Sequence, residues 1–449
     1  MNRNHLLNGS IMKSLLAIAS PIIFANILQT VYQLTDTFWV GRLGTEAVAA
    51  VSLSFPILFF LISFAVGITM AGSILIAQYN GRGETEHVSL VTGQTFSVVL
   101  SLAIIISLVG YFSSRYLLSF LTKNNFVLEQ ATSYLQISFI AIVAMFIFNI
   151  FQSSLRGVGE VKIPLIIILI TVVINFMIDP LLMFGWKFIP TMGVSGVALA
   201  TLITESLAAL IGIIYLIRGN HGVKLKLKHL WFKKIWFKKI LGLGLPSSLE
   251  HSSRSLGMVL IIFIVSTFGT LVIAAYGIGT RLLSFVVIPA FGFSIGVSAL
   301  IGNNLGAKQY SRVEQIAKKG MIIGFWTLTI IGVLLFIFAP QISAFFVPNE
   351  KDLIVMSATF VRIMTLTFGS IGIHMIIMGT LKAAGRTTLS MFLAMTHTFS
   401  LFVLAYLLAV PFGLNELGIW IAYPVSNILT LGLAYYYYQQ KDWLNKELI

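Results

Sequence analysis

The run VVINFMIDPLL at residues 172–182 sets an amide and an acid, Asn175 and Asp179, four residues apart in hydrocarbon. That spacing puts both on one face of a helix. Of the chain's 15 acids, three more lie inside apolar runs: Asp36, Glu205 and Glu250. A carboxylate at bilayer depth costs about 2.5–3.5 kcal/mol on insertion scales, so such groups face the protein interior or water and mark ion, proton or substrate routes. Burial moves a carboxyl toward the range in which it takes up and releases a proton.

Asp36 stands in VYQLTDTFWVGRLG, with Tyr32 one turn earlier on the same face and Pro21 in mid-segment. A proline there removes a backbone hydrogen bond and allows a kink. A kinkable helix carrying a titratable acid suits a switch; an outer-end cap in contact with headgroup water is the competing reading. Asn175 and Asp179 with Thr201, and with Asp36 if its helix packs alongside, would supply carboxylate, amide and hydroxyl oxygens, hard ligands for Na⁺. Protonated, the same groups would form a hydrogen-bonded network. Asp179 also precedes Pro180, so the segment is expected to end or bend there, which keeps open a helix-end carboxylate. Glu250 and Arg254 lie i, i+4 with His251 between them. They form either a buried ion pair that neutralises itself or a second cation or substrate site. Glu205 has no evident partner, and snorkelling or a structural bond is expected. His374 and His397 read as satisfied core histidines.

The elements that must hold these groups follow from composition. The 449 residues are 57% hydrophobic and 10% charged, with a mean hydropathy of +0.95. A soluble chain keeps about a quarter of its residues charged. Continuous apolar runs exclude a barrel, whose strands alternate, and predict a polytopic α-helical membrane protein. Cysteine is absent, so no disulfide framework exists. The first apolar segment is too long for a signal h-region. Twelve segments are expected, at 12–38, 48–78, 91–111, 128–153, 163–184, 194–217, 239–267, 271–301, 318–339, 354–380, 388–410 and 417–438. The net charge of +14 sits mostly in short loops, where it reports orientation rather than nucleic-acid binding. With the N-terminus inside, inner segments hold 21 Lys and Arg, Lys382, Arg386, Lys441 and Lys446 among them, and outer loops five. Both termini are therefore expected in the cytoplasm of a multi-pass cell-membrane protein.

The densest basic stretch, KLKLKHLWFKKIWFKKI at 224–240, alternates lysine pairs with aromatic pairs. It reads as a linker lying on the membrane surface, aromatics at headgroup level and lysines on anionic lipid; a regulatory or ligand-binding role is the competing reading. It divides the chain into 1–217, the linker 218–238, and 239–449, and the two halves resemble each other. A shift of 225 carries Pro21 onto Pro246, Gly67 onto Gly292 and Gly81 onto Gly306; a shift of 226 carries LRGVGE onto LKAAGR. Six helices per half insert the same way up, giving two bundles related by an axis along the membrane normal. There is no GxxxxGK[ST] loop, so energy must come from an ion gradient, and no cofactor is expected.

Twelve segments, a 6+6 repeat, QLTDTFWVGRLG after segment one, VINFMIDP in segment five, GVSGVALATLIT in segment six and the paired loops SSLRGVGEVKIP and GTLKAAGRTTLS together resemble the multidrug and toxic compound extrusion (MATE) family, in its DinF-like branch. The resemblance implies the MATE-type, 6+6 all-α fold and a monomeric inner-membrane antiporter that exports organic, often cationic or amphipathic compounds in exchange for H⁺ or Na⁺. It implies that Asp36 takes a proton or ion as segment one bends at Pro21. It makes Asn175 and Asp179 the segment-five pair, Thr201 the segment-six oxygen and Asn149 a member of the network. Glu250 matches the segment-seven acid that the NorM-like branch uses for cations, yet segment ten offers no second acid, only His374. A lipid-linked oligosaccharide flippase of the same superfamily would show a more basic cavity, and only Arg254, Arg281 and Arg362 are expected inside the membrane. A channel would ring its acids, and an enzyme would need a clustered nucleophile or metal set.

Overall fold

A backbone in hydrocarbon must satisfy its own hydrogen bonds, so each apolar run forms a helix. The computed structural model describes residues 3–348, 350–444 and 448, with only the backbone of residues 284 and 285; Lys446 lies outside them. After a short α1 (Arg3–Asn8) come α2 (Ile11–Gly41), α3 (Thr45–Arg82), α4 (Thr85–Ser119), α5 (Asn125–Gly157), α6 (Lys162–Phe184) and α7 (Val194–Arg218). The second half holds α8 (Lys234–Ser266), α9 (Thr270–Gly306), α10 (Tyr310–Phe346), α11 (Lys351–Thr365), α12 (Phe368–Ala383), α13 (Thr387–Ala409) and α14 (Asn415–Gln439). Eleven helices are long and apolar enough to cross a membrane, and α11 with α12 makes a twelfth, bent by 51°. Among the described residues there is no strand, only an isolated bridge between Trp186 and Ile189.

The helices overrun their apolar cores. The 38 residues of α3 extend about 57 Å at 1.5 Å per residue, against about 30 Å of hydrocarbon. Similarly, α8 starts at Lys234 and takes in the end of the expected linker. The helix through Asp179 does not end at Pro180 but continues to Phe184.

The repeat recurs in the helix bounds. Displaced by 225, α6 falls on α13 end for end; displaced by 226, α5 spans the start of α11 to the end of α12. Only the second half breaks this helix, and the sequence TLTFGS explains why. The hydroxyls of Thr365, Thr367 and Ser370 donate back to the carbonyls of Arg362, Met364 and Thr367 at 2.7, 3.3 and 2.6 Å. Such bonds compete with the helical ladder and bend it. Asn427 of α14 donates to the Thr367 hydroxyl at 3.1 Å. The first-half counterparts Phe139, Ala141 and Ala144 carry no hydroxyl, and α5 runs unbroken.

The chain forms two compact units. One contains Arg3 and Phe24–Ser248; the other contains Asn4–Ile23 and Leu249–Ile449. A cut at the linker would assign α2 wholly to the first half and α8 from residue 239 onward to the second, but each helix changes unit in mid-course. The two crossing points, after Ile23 and after Ser248, are themselves 225 residues apart, each two residues past a repeat proline, Pro21 or Pro246. Glycine makes room for both. In the first unit a Cβ on Gly67 would stand 2.1 Å from the Ser248 backbone nitrogen; in the second a Cβ on Gly292 would stand 2.3 Å from Ile23 Cγ1.

Within the first unit α5 is central, packed on α3, α4 and α7, with Phe139, Phe146 and Phe151 buried. The second unit is built around Trp420, Phe360 and Phe368, the Phe360 and Trp420 rings lying 4.3 Å apart.

Candidate functional site

In the first unit, α2, α6 and α7 converge on a polar group inside an apolar surround. Asn175 and Asp179 are fully buried on α6, and the Asn175 amide donates to Asp179 Oδ1 at 3.3 Å. This fixes the amide so that its oxygen faces away from the bond. From α2, the half-buried Asp36 brings its carboxyl within hydrogen-bonding reach of Asp179. Two ionised carboxylates repel at that range and offer only acceptors, so the contact requires a proton or a cation. Three buried oxygens have no hydrogen-bond partner: Asp36 Oδ1, Asn175 Oδ1 and Asp179 Oδ2.

One turn earlier on α2, the Tyr32 hydroxyl meets Thr204 Oγ1 of α7 at 2.9 Å and lies within bonding reach of Thr201. Among the described residues no hydrogen bond joins Thr201 to either carboxyl. The Thr204 hydroxyl donates back to the Ala200 carbonyl at 2.9 Å. Asn149, half-buried on α5, makes no hydrogen bond with this group among the described residues. Two residues that sequence reasoning left aside belong here. Glu205, next to Thr204, is close enough for its charge to act on Tyr32 and Asp36. Tyr134 of α5 feels the charges of Asp36 and Asp179. The i, i+4 relation of Thr201 and Glu205 was the available signal for the first; nothing local marked the second. Trp39, Tyr134, Met183 and Val194 pack as an apolar wall, and a low-dielectric surround strengthens every electrostatic term inside it.

No group of three or more His, Cys, Asp and Glu gathers as for a transition metal among the described residues. The donor set is instead oxygen-only, which suits a proton or Na⁺. Pro21 lies in the part of α2 that belongs to the second unit, 15 residues before Asp36.

The second unit holds a different arrangement. Glu250 of α8 is fully buried, and its Oε1 accepts from Lys382 Nζ of α12 at 3.0 Å, while Arg254 Nη2 stands off at 3.8 Å. Lys382, counted in sequence as a loop cation, has only 5% of its side chain exposed. The expected Glu250–Arg254 pair is therefore secondary to one that spacing did not reveal. The 226-residue repeat places Lys382 on Arg156, a half-buried cation of α5, and that was the signal for it. Arg254 instead stacks over Phe291 at 4.7 Å, and His251 stacks on the same ring at 5.9 Å. His374 lies close enough to feel the Glu250, Arg254 and Lys382 charges but bonds to none of them, its Nδ1 having no partner. His397 is satisfied, its Nε2 2.9 Å from Asn427 Oδ1. Arg281 and Arg362 are exposed and take no part.

The MatE family model matches residues 21–181 and 246–407, one copy per repeat. The chain belongs to the MatE family. It is 30% identical to a probable multidrug resistance protein, YoeA of Bacillus subtilis (strain 168), over 98% of this chain and 96% of that one. It is 26% identical to an FAD transporter of Shewanella oneidensis, over 98% and 97%. A solved multidrug resistance MATE transporter of the MOP superfamily, in an outward-facing conformation, matches with a TM-score of 0.92 at 22% identity, over 100% and 99% of the two chains. The protein is thus a multi-pass membrane transporter of up to twelve membrane-crossing segments, and not an enzyme.

Proposed function

We propose that this MatE transporter is a secondary antiporter of the cell membrane, with both termini cytoplasmic, which exports organic cationic or amphipathic compounds in exchange for H⁺ or Na⁺. The observation that carries the proposal is the meeting of Asp36 and Asp179, from two helices, with three unpartnered oxygens and, among the described residues, no cationic side chain paired with them. A proton or a small cation between the carboxyls ties α2 to α6; its departure leaves two like charges that push them apart. A ligand shifts only the equilibrium of states it binds differently, and this pair provides that difference. Pro21 gives α2 a place to bend. Asn175 orients Asp179, and Tyr32 with Thr204 holds the neighbouring turn of α2 against α7. Where Na⁺ is the coupled ion, Asp36, Asn175, Asp179 and Thr201 are its oxygen ligands. The names of the multidrug relatives support the substrate class.

The test is transport of ethidium in proteoliposomes of wild type, Asp36→Asn and Asp179→Asn, with pH and Na⁺ gradients imposed separately. Transport that follows one gradient and is lost in either folded variant names the coupling ion. Dye movement unaffected by both substitutions would remove the carboxyl pair from the mechanism.

A second reading rests on the other unit. Lys382 and Arg254 outnumber Glu250 there, an excess of positive charge that suits an organic anion or a phosphate-bearing lipid, and an FAD transporter is among the relatives. Competition of ethidium efflux by an organic anion, lost in Arg254→Gln, would favour it.

A further inference from the structure

Residues 206–249 contain no acid but eight Lys and Arg. A positively charged loop this dense repels itself and would be expected to move freely, yet its backbone is held. Gln94 of α4, 1% exposed, donates to the carbonyls of His229 and Trp231 at 2.6 and 2.7 Å and accepts from the Lys233 amide at 3.0 Å. Ser97 donates to the Leu230 carbonyl at 2.7 Å. Gly93 lets the strap lie close, since a Cβ there would be 2.7 Å from His229 Cβ. At one end Glu86 accepts from Lys226 and from Lys228, the latter at 2.9 Å, and meets His229 Nε2 at 3.2 Å.

The clamp divides the strap into a compensated and an uncompensated part. Glu86 balances the first lysines. Lys233, Lys234 and Lys238 are exposed and have no carboxylate partner among the described residues. They stand where α8 begins, with no acid in its first turn, a position where positive charge is unfavourable against the helix dipole. Interleaved with them, Trp231, Phe232 and Ile235 are 80, 60 and 79% exposed. Exposed aromatics beside lysines, at the end of a connection between two membrane spans, match the composition of interfacial anchors.

We propose that the strap 231–238 is a binding surface for anionic lipid headgroups of the leaflet it adjoins, with the lysines on the phosphates and the aromatic side chains at the acyl boundary. Each lysine near such a surface contributes about fivefold in association, so three uncompensated lysines make the preference for anionic over zwitterionic lipid large. The Gln94 clamp holds these side chains in one presentation, which reduces the ordering needed on contact.

Because the chain has no cysteine, full-length Trp231→Cys can be labelled at one site with a polarity-sensitive fluorophore. It is reconstituted in nanodiscs of phosphatidylcholine alone or mixed with phosphatidylglycerol. Bilayer insertion is read from emission and from quenching by brominated lipid. The expected result is bluer emission and stronger quenching with phosphatidylglycerol, reversed by salt, and lost when Lys233, Lys234 and Lys238 are all changed to Gln. Equal emission and quenching in both lipids, or no change in the triple variant, would overturn the proposal. Inorganic phosphate added to phosphatidylcholine discs should not reproduce the shift; if it does, the surface binds a free anion and the lipid assignment fails.

Discussion

Replacing Lys382 with Met should destabilise the second unit by removing the nearer partner of a buried acid. At 3.0 Å, the Glu250–Lys382 attraction is about 5.5 kcal/mol in an effective dielectric of about 20; Arg254 at 3.8 Å offers about 4.4. Desolvation offsets much of both, and breaking a buried pair costs about 3–5 kcal/mol net. Because Arg254 can close on Glu250 when Lys382 is gone, Lys382→Met should fall near 3 kcal/mol. Glu250→Gln leaves two cations without an acid and should fall near 5 kcal/mol. The double variant Glu250→Gln, Lys382→Met should be less harmful than the sum of the two, by about 2 kcal/mol or more. Thermal unfolding of purified protein followed by tryptophan fluorescence ranks the four. At roughly 1–2 °C per kcal/mol, extending the trend with chain length, the single variants should lose several degrees and the double should regain part of them. If Lys382→Met melts with wild type, or the two effects simply add, the lysine does not pair with Glu250 inside the protein.

Gly67→Ala should cost about 1–3 kcal/mol by overpacking, because the new methyl meets backbone at Ser248, whereas Gly432→Ala, with open space around it, should gain up to about 1 kcal/mol; a melting comparison in which both are silent would discard the close approach. Tyr32→Phe deletes the bond to Thr204 and should cost about 1 kcal/mol, slowing ethidium transport less than Asp36→Asn does, with full activity showing that Tyr32 does not position α2. Gln94→Ala removes three bonds to the strap backbone and should speed trypsin cleavage at Lys233 and Lys234 several-fold, while an unchanged digestion rate would mean that Gln94 does not hold it.

Helix positions were legible because hydrocarbon leaves an unpaired backbone no alternative: nine of the twelve expected segments lie wholly inside one helix, 239–267 and 388–410 overrun theirs by one residue, and 354–380 takes in the break between α11 and α12. Asn175 and Asp179 were legible as a pair because helical spacing alone brings them together. The approach of Asp36 needed α2 to pack beside α6, which no local rule supplies. Lys382 was misplaced for a physical reason: cations near helix ends normally turn to water, and only a tertiary partner, Glu250, 132 residues away in sequence, turns this one inward. The break after Thr365 hid for a similar reason. Threonine in an apolar run is unremarkable until its hydroxyl bonds backward and Asn427 holds it there.

The crossing of α2 and α8 between units has a consequence for biosynthesis. When residues 4–23 leave the ribosome, the unit that receives them lacks everything else it consists of, Leu249–Ile449, which does not yet exist. Residues 4–23 must therefore wait, inserted but without their final neighbours, while more than two hundred residues are made. The first unit likewise stays incomplete until Ser248 has emerged. Separate expression of residues 1–217 and 239–449 would give two fragments that each lack a segment the other carries, so neither should assemble alone, and co-expression should rescue both.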